Sequence, residues 1–431
     1  MPAFQPVRGM RDLMPEEAEA LNFVISKSRK TAKLYGYKEV ITPLVETYEL
    51  LSAKSGEEIR SRMFTFRDLG DRKVALRPEF TASIARLVTS AFKKEPKPLR
   101  IFSVGSVYRY DEPQRGRYRE FWQSNFELIG SSKPEADAEA IILTDCLMKL
   151  SGISNYSFTI GHIGILRGVL SQNNIAEKVQ NDILQLMDKK EFNKALALLE
   201  KKGCRDFLEG LLELKGNTAF ETAERIQRYV KDYPVAEMAA KNLVDILTLV
   251  AASGCPIEVV EPAFARGLEY YTGLIFEVKV PELDVALGGG GRYDKLVESF
   301  GGEATPAVGV AHGLDRMILA TQIQNSFLSK KQRKTVMIVS IKPELRAEAL
   351  RISELLREEE ISVELEVMGR RIKKALEDAN RRKVDYVVIV GAKELKTGAV
   401  AFRDLGSREQ LTVKIAQLPK KIKGQDRKAS S

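Results

Sequence analysis

Apolar residues recur at helical spacing in two parts of the chain. Residues 16–35 show this spacing near the start, and residues 164–250 combine Leu, Lys and Glu at the same 3.6-residue period with few strand signals. The spacing predicts a helix over 16–35 and a helical insertion in the middle of the chain.

Between 72 and 130 the pattern changes to short β-rich runs separated by turn or charged stretches, namely KVALRPEF, LRIFSVGSVYRY and FWQSNFELIG. Similar runs return after the helical block as GLIFEVKVP, DVALGGGGRYD and PAVGVAHGLDRMILA. This pattern favours an antiparallel sheet, which we predict to be shared by the segments on both sides of the block. Upstream, GYKEVITPLVE indicates a turn and a strand that ends at Pro43.

A polar, basic stretch over residues 324–334 predicts a linker. After it, strand and helix patterns alternate through TVMIVSI, ELRAEALRISELLREE, SVELEV, RRIKKALEDANRR and DYVVIVG. Such alternation predicts a separate, small parallel or mixed α/β domain.

Composition narrows the class of protein. A chain of 431 residues is too long for one ordinary core, and 44% hydrophobic with 29% charged residues is typical of soluble globular proteins. Neither an apolar run of membrane-spanning length nor a secretory signal is present, so we expect a cytoplasmic protein that does not enter a membrane. The three scattered cysteines indicate neither a disulfide framework nor a zinc site. The net charge of +9 suits a polyanionic partner, although it also occurs in enzymes that bind no nucleic acid.

Four arginines crowd into RYDEPQRGRYREFWQ, residues 109–123. Arginine contacts phosphate or carboxylate in a planar, bidentate way, and such bonds contribute about 1.5–3 kcal/mol each. The stretch indicates either two strands that hold a loop over a phosphate-bearing ligand or a hairpin with solvated salt bridges.

Three further stretches carry chemistry of the same kind. In ALRPEFTASIAR, Glu79 could accept bonds from an ammonium group, or Glu79 and Thr81 could simply start a helix. The glycines of LGGGGRYD, residues 287–294, permit close approach of a ligand but also suit a tight turn. In GVAHGLDRM, Arg316 follows a strand-to-helix junction, where it could face a nucleotide phosphate or the solvent.

Taken in order, these stretches resemble the three motifs of class II aminoacyl-tRNA synthetases, and those of histidyl-tRNA synthetases in particular. VITPLVE is similar to motif 1, SVYRYDEPQRGRYREFWQSNFE to motif 2 and GVAHGLDRM to motif 3. RGLEYYTG and GGGGRYD are similar to the two histidine-specific signatures of the family. The resemblance covers about residues 5–415.

The resemblance implies an α+β fold with a six-stranded antiparallel catalytic sheet flanked by helices, and a homodimer built on motif 1. It implies a catalytic domain over 1–160 and 251–325, interrupted by a helical insertion over 161–250. A small C-terminal α/β anticodon-binding domain over 334–420 and a polar tail over 421–431 follow.

The implied reaction joins L-histidine and ATP into histidyl-adenylate with loss of pyrophosphate, then transfers histidine to the 3′-terminal ribose of tRNA(His) and releases AMP. An α-carboxylate, with a pKa of about 3.3–3.7, is ionised at pH 7, so the first step needs neutralised phosphate charge rather than a general base. ATP and Mg²⁺ are the implied cofactors. By motif position, Arg109 holds the α-phosphate and Arg117 and Arg316 engage the outer phosphates. Arg266 is the implied catalytic arginine, acting together with Arg109.

The resemblance also implies the histidine site, without identifying the residues that bind the metal. The implied ammonium partners are Glu79, Thr81 and Gln123, and the implied imidazole pocket is Glu127, Tyr270 and Tyr271. The remaining members of the implied histidine site are Phe80, Arg109 and Arg266.

Some features leave alternatives open. His312 stands in motif 3 where an apolar or small residue is expected, which leaves the details of the adenine pocket open. Arg115 and Arg119 could face the tRNA acceptor end or the solvent. The basic GRRIKKALEDANRRK indicates an RNA-binding surface or a solvated helix face. The rival function is that of the synthetase-like, histidine-sensing regulatory subunit of ATP phosphoribosyltransferase, which lacks an anticodon domain.

Overall fold

The chain folds into two units, Met1–Phe327 and Leu328–Ser431. The computed structural model describes residues 4–53, 56–199, 204–262, 264–265, 270–325 and 334–424. Each unit has its own β-structure, and the domain bounds given above stay a prediction.

The first unit contains an eight-stranded sheet and a smaller three-stranded sheet. The strands are β1 (Lys38–Glu39), β2 (Val45–Thr47), β3 (Thr65–Arg67), β4 (Lys73–Leu76), β5 (Leu99–Tyr108), β6 (Glu120–Ile129), β7 (Ser157–His162), β8 (Val259–Val260), β9 (Leu274–Lys279), β10 (Gly288–Arg292) and β11 (Ala307–Gly313). The helices are α1 (Pro15–Leu34), α2 (Tyr48–Ser52), α3 (Glu57–Ser61), α4 (Thr81–Thr89), α5 (Pro134–Leu150), α6 (Ile163–Gln172), α7 (Glu177–Asp188), α8 (Phe192–Ala197), α9 (Arg205–Leu212), α10 (Ala219–Tyr229), α11 (Pro234–Ala252), α12 (Leu296–Ser299) and α13 (Leu314–Ile323).

The large sheet runs in the order β1-β5-β6-β11-β10-β9-β7-β8. Its six central strands pair antiparallel, as predicted, whereas the two-residue edge strands β1 and β8 pair parallel with β5 and β7. The predicted count of six strands is therefore extended to eight. Strands from before and after the helices α6–α11 share this sheet, which confirms the prediction.

The strand predicted to end at Pro43 is much shorter than expected. Only Lys38 and Glu39 pair with β5, and Val40 adds one further hydrogen bond from its N–H to the Phe102 carbonyl at 2.8 Å. Proline has no N–H to continue a ladder. The chain therefore leaves the large sheet there and resumes as β2, which pairs with β4 in the order β2-β4-β3.

Helix α5 packs against the face of the large sheet formed by β6, β11, β10 and β9, and α1 packs against α5 and α13. The aromatic rings of Phe102 and Phe126 lie in the core of this unit, with centroids 4.8 Å apart. LGGGGRYD is largely the strand β10 rather than a turn, so the turn alternative is wrong.

The second unit is a small mixed α/β domain, as predicted, with a sheet in the order β13-β12-β14-β15-β16. Its strands are β12 (Thr335–Ser340), β13 (Ser362–Leu365), β14 (Tyr386–Val390), β15 (Ala399–Asp404) and β16 (Gln410–Lys414). Its helices are α14 (Arg346–Glu358), α15 (Ile372–Arg381), α16 (Ala392–Leu395) and α17 (Leu418–Gly424), with 3₁₀ turns at Pro343–Leu345 and Ile415–Gln417. Because α17 buries Ile422, the start of the tail predicted over 421–431 is helical, and residues 425–431 lie outside the described part of the chain.

Among the described residues, no helix combines the length and apolar character needed to cross a membrane.

Candidate active site

A cavity of about 540 Å³ opens over the centre of the large sheet. Side chains alternate between the two faces of a strand, so every second residue of β6 points towards it. Three polar residues of β6 line the cavity opposite three small residues of β11: Gln123 opposite Gly313, Asn125 opposite Ala311, and Glu127 opposite Gly309. The polar side chains of β6 therefore lie beside residues of β11 that have small side chains or none, which leaves space for a ligand.

Glu127 is the most enclosed charged group of the cavity, with 1% of its surface exposed. Thr81 Oγ1 donates to Glu127 Oε1 at 2.8 Å, and Asn125 Nδ2 donates to the same oxygen at 2.9 Å. Tyr293 donates its hydroxyl to Glu127 Oε2. Burial raises the pKa of Glu127 to about 7, against the lowering effect of these three donors.

Gly309 makes room for this carboxylate. A Cβ atom at Gly309 would overlap the side chain of Glu127, lying 2.6 Å from its Cδ. The two residues are Cα partners in adjacent strands, so the missing side chain of one accommodates the buried acid of the other.

Tyrosines form one wall of the cavity. The rings of Tyr270 and Tyr271 lie 5.0 Å apart, and that of Tyr270 lies 5.7 Å from Tyr293 in an edge arrangement. Burial raises the pKa of Tyr270 and that of Tyr293 well above the usual value, so both hydroxyls stay protonated at neutral pH. The three residues of the predicted imidazole pocket, Glu127, Tyr270 and Tyr271, thus line the same cavity, and Tyr293 lines it beside them.

Glu79 and Thr81 meet at the start of α4, where helix N–H groups lack intrahelical partners. Glu79 accepts from the backbone N–H of Thr81 and, at 2.9 Å, from that of Ala82. The Thr81 hydroxyl donates to Glu127, so the side chain that satisfies the N–H groups at the start of the helix is that of Glu79. Both Glu79 and Thr81 line the cavity, so the start of α4 lies at the cavity wall.

Gln123 is buried at the cavity wall, and its Oε1 has no hydrogen-bond partner among the described residues. A buried amide oxygen left without a donor is costly, so this position favours a ligand that can donate a hydrogen bond. An ammonium group has that property, in agreement with the role implied for Gln123 by the resemblance.

Arg109 follows β5 and lines the cavity. Its Nε donates to the Pro78 carbonyl at 2.9 Å, and its guanidinium lies 5.4 Å from the centre of the Phe121 ring. These contacts fix the arginine close to the Glu79 end of the cavity.

Arg117 and Arg316 line the cavity and are joined through the loop between β5 and β6. Arg316 Nε donates to the Gly116 carbonyl at 3.1 Å, and its Nη1 donates to the Ala286 carbonyl at 2.8 Å. Arg117 Nε lies 3.8 Å from an oxygen of Asp111. Three of the four arginines assigned to ligand contacts therefore line one cavity. The fourth, Arg266, lies outside the described residues.

Phe80, a member of the predicted histidine site, and His312 of motif 3 both lie away from the cavity. Phe80 is 1% exposed and packs in the core, 4.2 Å below the guanidinium of Arg77, so its position does not support contact with histidine. His312 is also buried away from the cavity, with its ring 3.0 Å from the Thr144 hydroxyl on α5. Burial lowers the pKa of His312 to about 3. His312 therefore does not line the cavity.

The two remaining arginines of motif 2, Arg115 and Arg119, differ in solvent exposure. Arg115 is exposed, whereas the Arg119 side chain is 4% exposed and lies 3.6 Å from the centre of the Tyr110 ring. Arg119 therefore faces neither solvent nor an RNA surface.

Sequence reasoning missed Asn125 and Tyr293 as partners of Glu127. Asn125 could have been found from strand periodicity, since Gln123, Asn125 and Glu127 alternate on one face of β6. Tyr293 belongs to the quoted GGGGRYD stretch, but its hydrogen bond to Glu127 joins positions 166 residues apart, and no local pattern signals it.

Comparison with known proteins places the chain. Residues 9–317 match the sequence profile described as Histidyl-tRNA synthetase, and residues 335–425 match the one described as Anticodon binding domain. The chain belongs to the histidyl-tRNA synthetase family.

The relatives of this synthetase cover nearly its full length. It is 39% identical over 424 residues to the Histidine--tRNA ligase of Methanocaldococcus jannaschii, covering 96% of this chain and 98% of that protein. It is 37% identical to the protein of the same name from Saccharolobus solfataricus, over 98% of this chain and 99% of that one.

Solved structures agree on the fold of the synthetase. The histidyl-tRNA synthetase from Nostoc sp. PCC 7120 superposes with a TM-score of 0.80 at 23% identity, covering 99% of this chain and 100% of that chain. A protein from Bacillus halodurans C described as an ATP phosphoribosyltransferase regulatory subunit/histidyl-tRNA synthetase has a TM-score of 0.77 at 26% identity, over 91% of this chain and 100% of that one.

Proposed function

We propose that the protein attaches L-histidine to tRNA(His) through a histidyl-adenylate, with release of pyrophosphate and AMP. The observation that supports this most strongly is the position of Glu127, a buried acid with its own donors on the floor of a cavity that arginines also line. The full-length relatives named Histidine--tRNA ligase support the same reaction. We also propose that the reaction takes place in the cytoplasm.

Histidine selection follows from the hydrogen bonds of Glu127. A carboxylate has about four acceptor sites, and Thr81, Asn125 and Tyr293 donate to three of them. One site remains for an imidazole N–H. An amino acid without such a donor leaves the buried acid short of a partner, which discriminates by roughly 10⁴–10⁵ in sites of this type. Tyr270 and Tyr271 enclose the ring.

Adenylate formation requires positioning and positive charge. Glu79 and Gln123 hold the ammonium group, so that the ionised α-carboxylate of histidine points to the α-phosphate of ATP. Arg109 neutralises that phosphate, Arg117 and Arg316 engage the outer phosphates, and Arg266 contacts both the phosphate and the substrate carboxylate. Arginine suits these tasks because its fork donates to two oxygens at once.

Mg²⁺ fits this cavity as a partner of ATP rather than as a resident ion. No group of three or more possible ligands occurs among the described residues, and Mg²⁺ typically binds through one or two carboxylates plus substrate phosphates. Carboxylates of that kind line the cavity at Asp111, Glu277 and Asp284. When bound, the ion neutralises phosphate charge.

In the second unit we propose the anticodon-binding surface, since its sequence matches that domain. Residues Gly369–Lys383 contain seven Lys or Arg against two acids. Affinity for tRNA should fall with salt, with a log–log slope of about −0.7 to −0.9 per neutralised phosphate. Filter binding from low to high salt tests this, and a flat response would argue against the proposal.

A homodimer through motif 1 is part of the proposal. Ile41, Leu44 and Val45 of motif 1 are exposed, as are Phe66 and Leu69 of the neighbouring β3 segment. A set of exposed apolar side chains of this kind marks an interaction surface. Sedimentation velocity should show a dimer that Ile41→Asp weakens, whereas Val235→Asp, an exposed position elsewhere in this unit, should not.

Histidine-dependent exchange of pyrophosphate into ATP, followed by charging of tRNA(His), tests the proposed reaction. Exchange that requires histidine and fails with other amino acids supports it. Histidine binding without exchange would instead favour the regulatory-subunit function named for the Bacillus halodurans protein.

A further inference from the structure

The N-terminal segment Val7–Arg11, here called the N-terminal strap, lies against the loop that carries the motif 2 arginines. The Arg119 N–H donates to the Gly9 carbonyl at 2.8 Å, and Arg119 Nη1 donates to the Arg8 carbonyl at 3.3 Å. On its other side, the Arg119 carbonyl accepts from the Arg109 N–H at 2.9 Å. One residue therefore connects the strap to the arginine assigned to the α-phosphate.

The contact between Gly9 and Arg119 depends on the glycine. Gly9 has a φ of +85°, which side-chain-bearing residues rarely adopt. A Cβ atom there would also lie 2.7 Å from Arg119 Cγ and Cδ. The turn of the strap is thus shaped to fit the buried Arg119 side chain.

Arg11 makes a second connection, to motif 3. Its Nη2 donates to Asp315 Oδ1, and Asp315 Oδ2 accepts from the Trp122 N–H of β6 at 2.7 Å. The Arg11 guanidinium also lies 3.6 Å from the centre of the Tyr118 ring. Tyr118 follows Arg117, and Asp315 precedes Arg316.

Asp315 needs this partner because it is buried. Desolvation raises its pKa, and the charge of Arg11 acts in the opposite direction. Arg11 thus joins the motif 2 loop to the start of α13, and Asp315 in turn joins the start of α13 to strand β6.

We propose that Arg11 is a positioning residue for ATP, holding the segments that present Arg117 and Arg316 to its outer phosphates. This inference rests on the proposed function of the cavity. Both lining residues that Arg11 contacts, Tyr118 and Asp315, are chain neighbours of assigned phosphate-binding arginines. The donors to Glu127 are Thr81, Asn125 and Tyr293, so loss of Arg11 should act on ATP rather than on histidine.

The test is pyrophosphate exchange with the full chain, with histidine and ATP varied in turn. Arg11→Gln should lower kcat/KM for ATP by roughly 10- to 100-fold, the scale expected when reacting groups are misplaced. The KM for histidine should stay within about 2-fold of the wild-type value, because the contacts that bind histidine are unchanged. Arg11→Lys retains the charge and should give an intermediate value. Arg8→Gln is the matched control, since its ion pair with Glu112 is exposed on both sides, and it should behave as wild type.

Three results would overturn the inference: an Arg11→Gln enzyme with wild-type ATP kinetics, equal losses for histidine and ATP, or an effect equalled by Arg8→Gln. Thermal unfolding and Arg11→Lys show whether a loss comes from unfolding. If the wild type shows no histidine-dependent exchange, the proposed function fails instead. Calorimetry with ATP then decides the inference, which an unchanged Kd in Arg11→Gln would refute.

Discussion

Replacing Gly309 by alanine tests whether a missing side chain creates the histidine pocket. The new Cβ would lie 2.6 Å from Glu127 Cδ and 3.0 Å from the Phe126 carbonyl oxygen. The carbonyl belongs to the neighbouring strand and moves little, so the Glu127 side chain must turn away. It would then leave the donors Thr81, Asn125 and Tyr293.

The size of the effect follows from the bonds that Glu127 makes. A hydrogen bond to a charged group is worth about 1.5–3 kcal/mol. Loss of one such bond, at about 1.4 kcal/mol per factor of ten, corresponds to a fall of roughly 10- to 150-fold. Because the same carboxylate is proposed to hold the imidazole, the loss should appear in kcat/KM for histidine. KM for ATP should change little.

Pyrophosphate exchange with varied histidine gives the required constants, and two further variants isolate the cause. Gly313→Ala adds a methyl group to the same strand with no neighbour nearer than 3.4 Å, so its thermal unfolding, rather than its kinetics, controls for the effect of a methyl group on fold stability. Glu127→Asp withdraws the carboxylate by one methylene and leaves space for the new Cβ. Gly309→Ala should therefore cost less in the Glu127→Asp background than in the wild type, with a coupling of about 0.5–3 kcal/mol.

Two outcomes would refute this reasoning. A Gly309→Ala enzyme with normal kcat/KM for histidine would show that the carboxylate does not need the space. Strictly additive effects of Gly309→Ala and Glu127→Asp would show that the loss does not pass through Glu127.

Two other predictions follow from the structure, and a third, for Arg266, follows from the family resemblance. Since burial raises the pKa of Glu127 from 4.5 to about 7, its contribution to stability is present below pH 4.5 and is lost as pH rises to about 7. At about 1.36 kcal/mol per pKa unit, the contribution of Glu127 amounts to roughly 3 kcal/mol. The free energies of urea unfolding of the ligand-free wild type and of Glu127→Gln should therefore diverge between pH 4.5 and about 7. Parallel pH dependences of the two free energies would contradict the raised pKa of Glu127. Arg292 pairs with buried Asp137 at 2.7 and 3.0 Å, so Arg292→Met should lower the free energy of unfolding by about 3–5 kcal/mol, and a change below about 1 kcal/mol would be inconsistent with the pair. Arg266→Ala should slow exchange by about 10²–10³ with a smaller effect on histidine binding measured by calorimetry, and full activity would exclude its proposed role.

Strong local patterns made much of the fold predictable. LRIFSVGSVYRY and FWQSNFELIG coincide with the ten-residue strands β5 and β6, and the predicted first helix is α1. Weak patterns failed, because β1 and β8 have two residues each and derive their pairing from neighbouring strands rather than from their own sequence. Strands β15 and β16 were not predicted. The boundaries of the helical insertion at 161–250 stay a prediction.

The candidate site was predictable from the resemblance and only in part from local sequence. Motif positions indicated Glu79, Gln123 and Glu127, which all line the cavity. The same reasoning included Phe80, whose neighbours in the chain face the cavity while its own ring is buried in the core. Which side of a turn faces a ligand depends on tertiary packing, so local sequence could not exclude it.

The glycines of β10 show how one sequence pattern can serve a second purpose, because Gly288 and Gly289 line the cavity while the next two glycines serve packing within the fold. A Cβ at Gly290 would lie 2.8 Å from the Val310 Cα, and one at Gly291 would lie 2.9 Å from Tyr271 Cδ1. These glycines therefore permit close approach of β11 and of a pocket tyrosine. Glycine in a strand weakens it by roughly 0.5–1 kcal/mol relative to alanine. A strand with four successive glycines is stable here because β9 and β11 pair with it on both sides. The pocket therefore depends more on these neighbouring strands than on β10 itself.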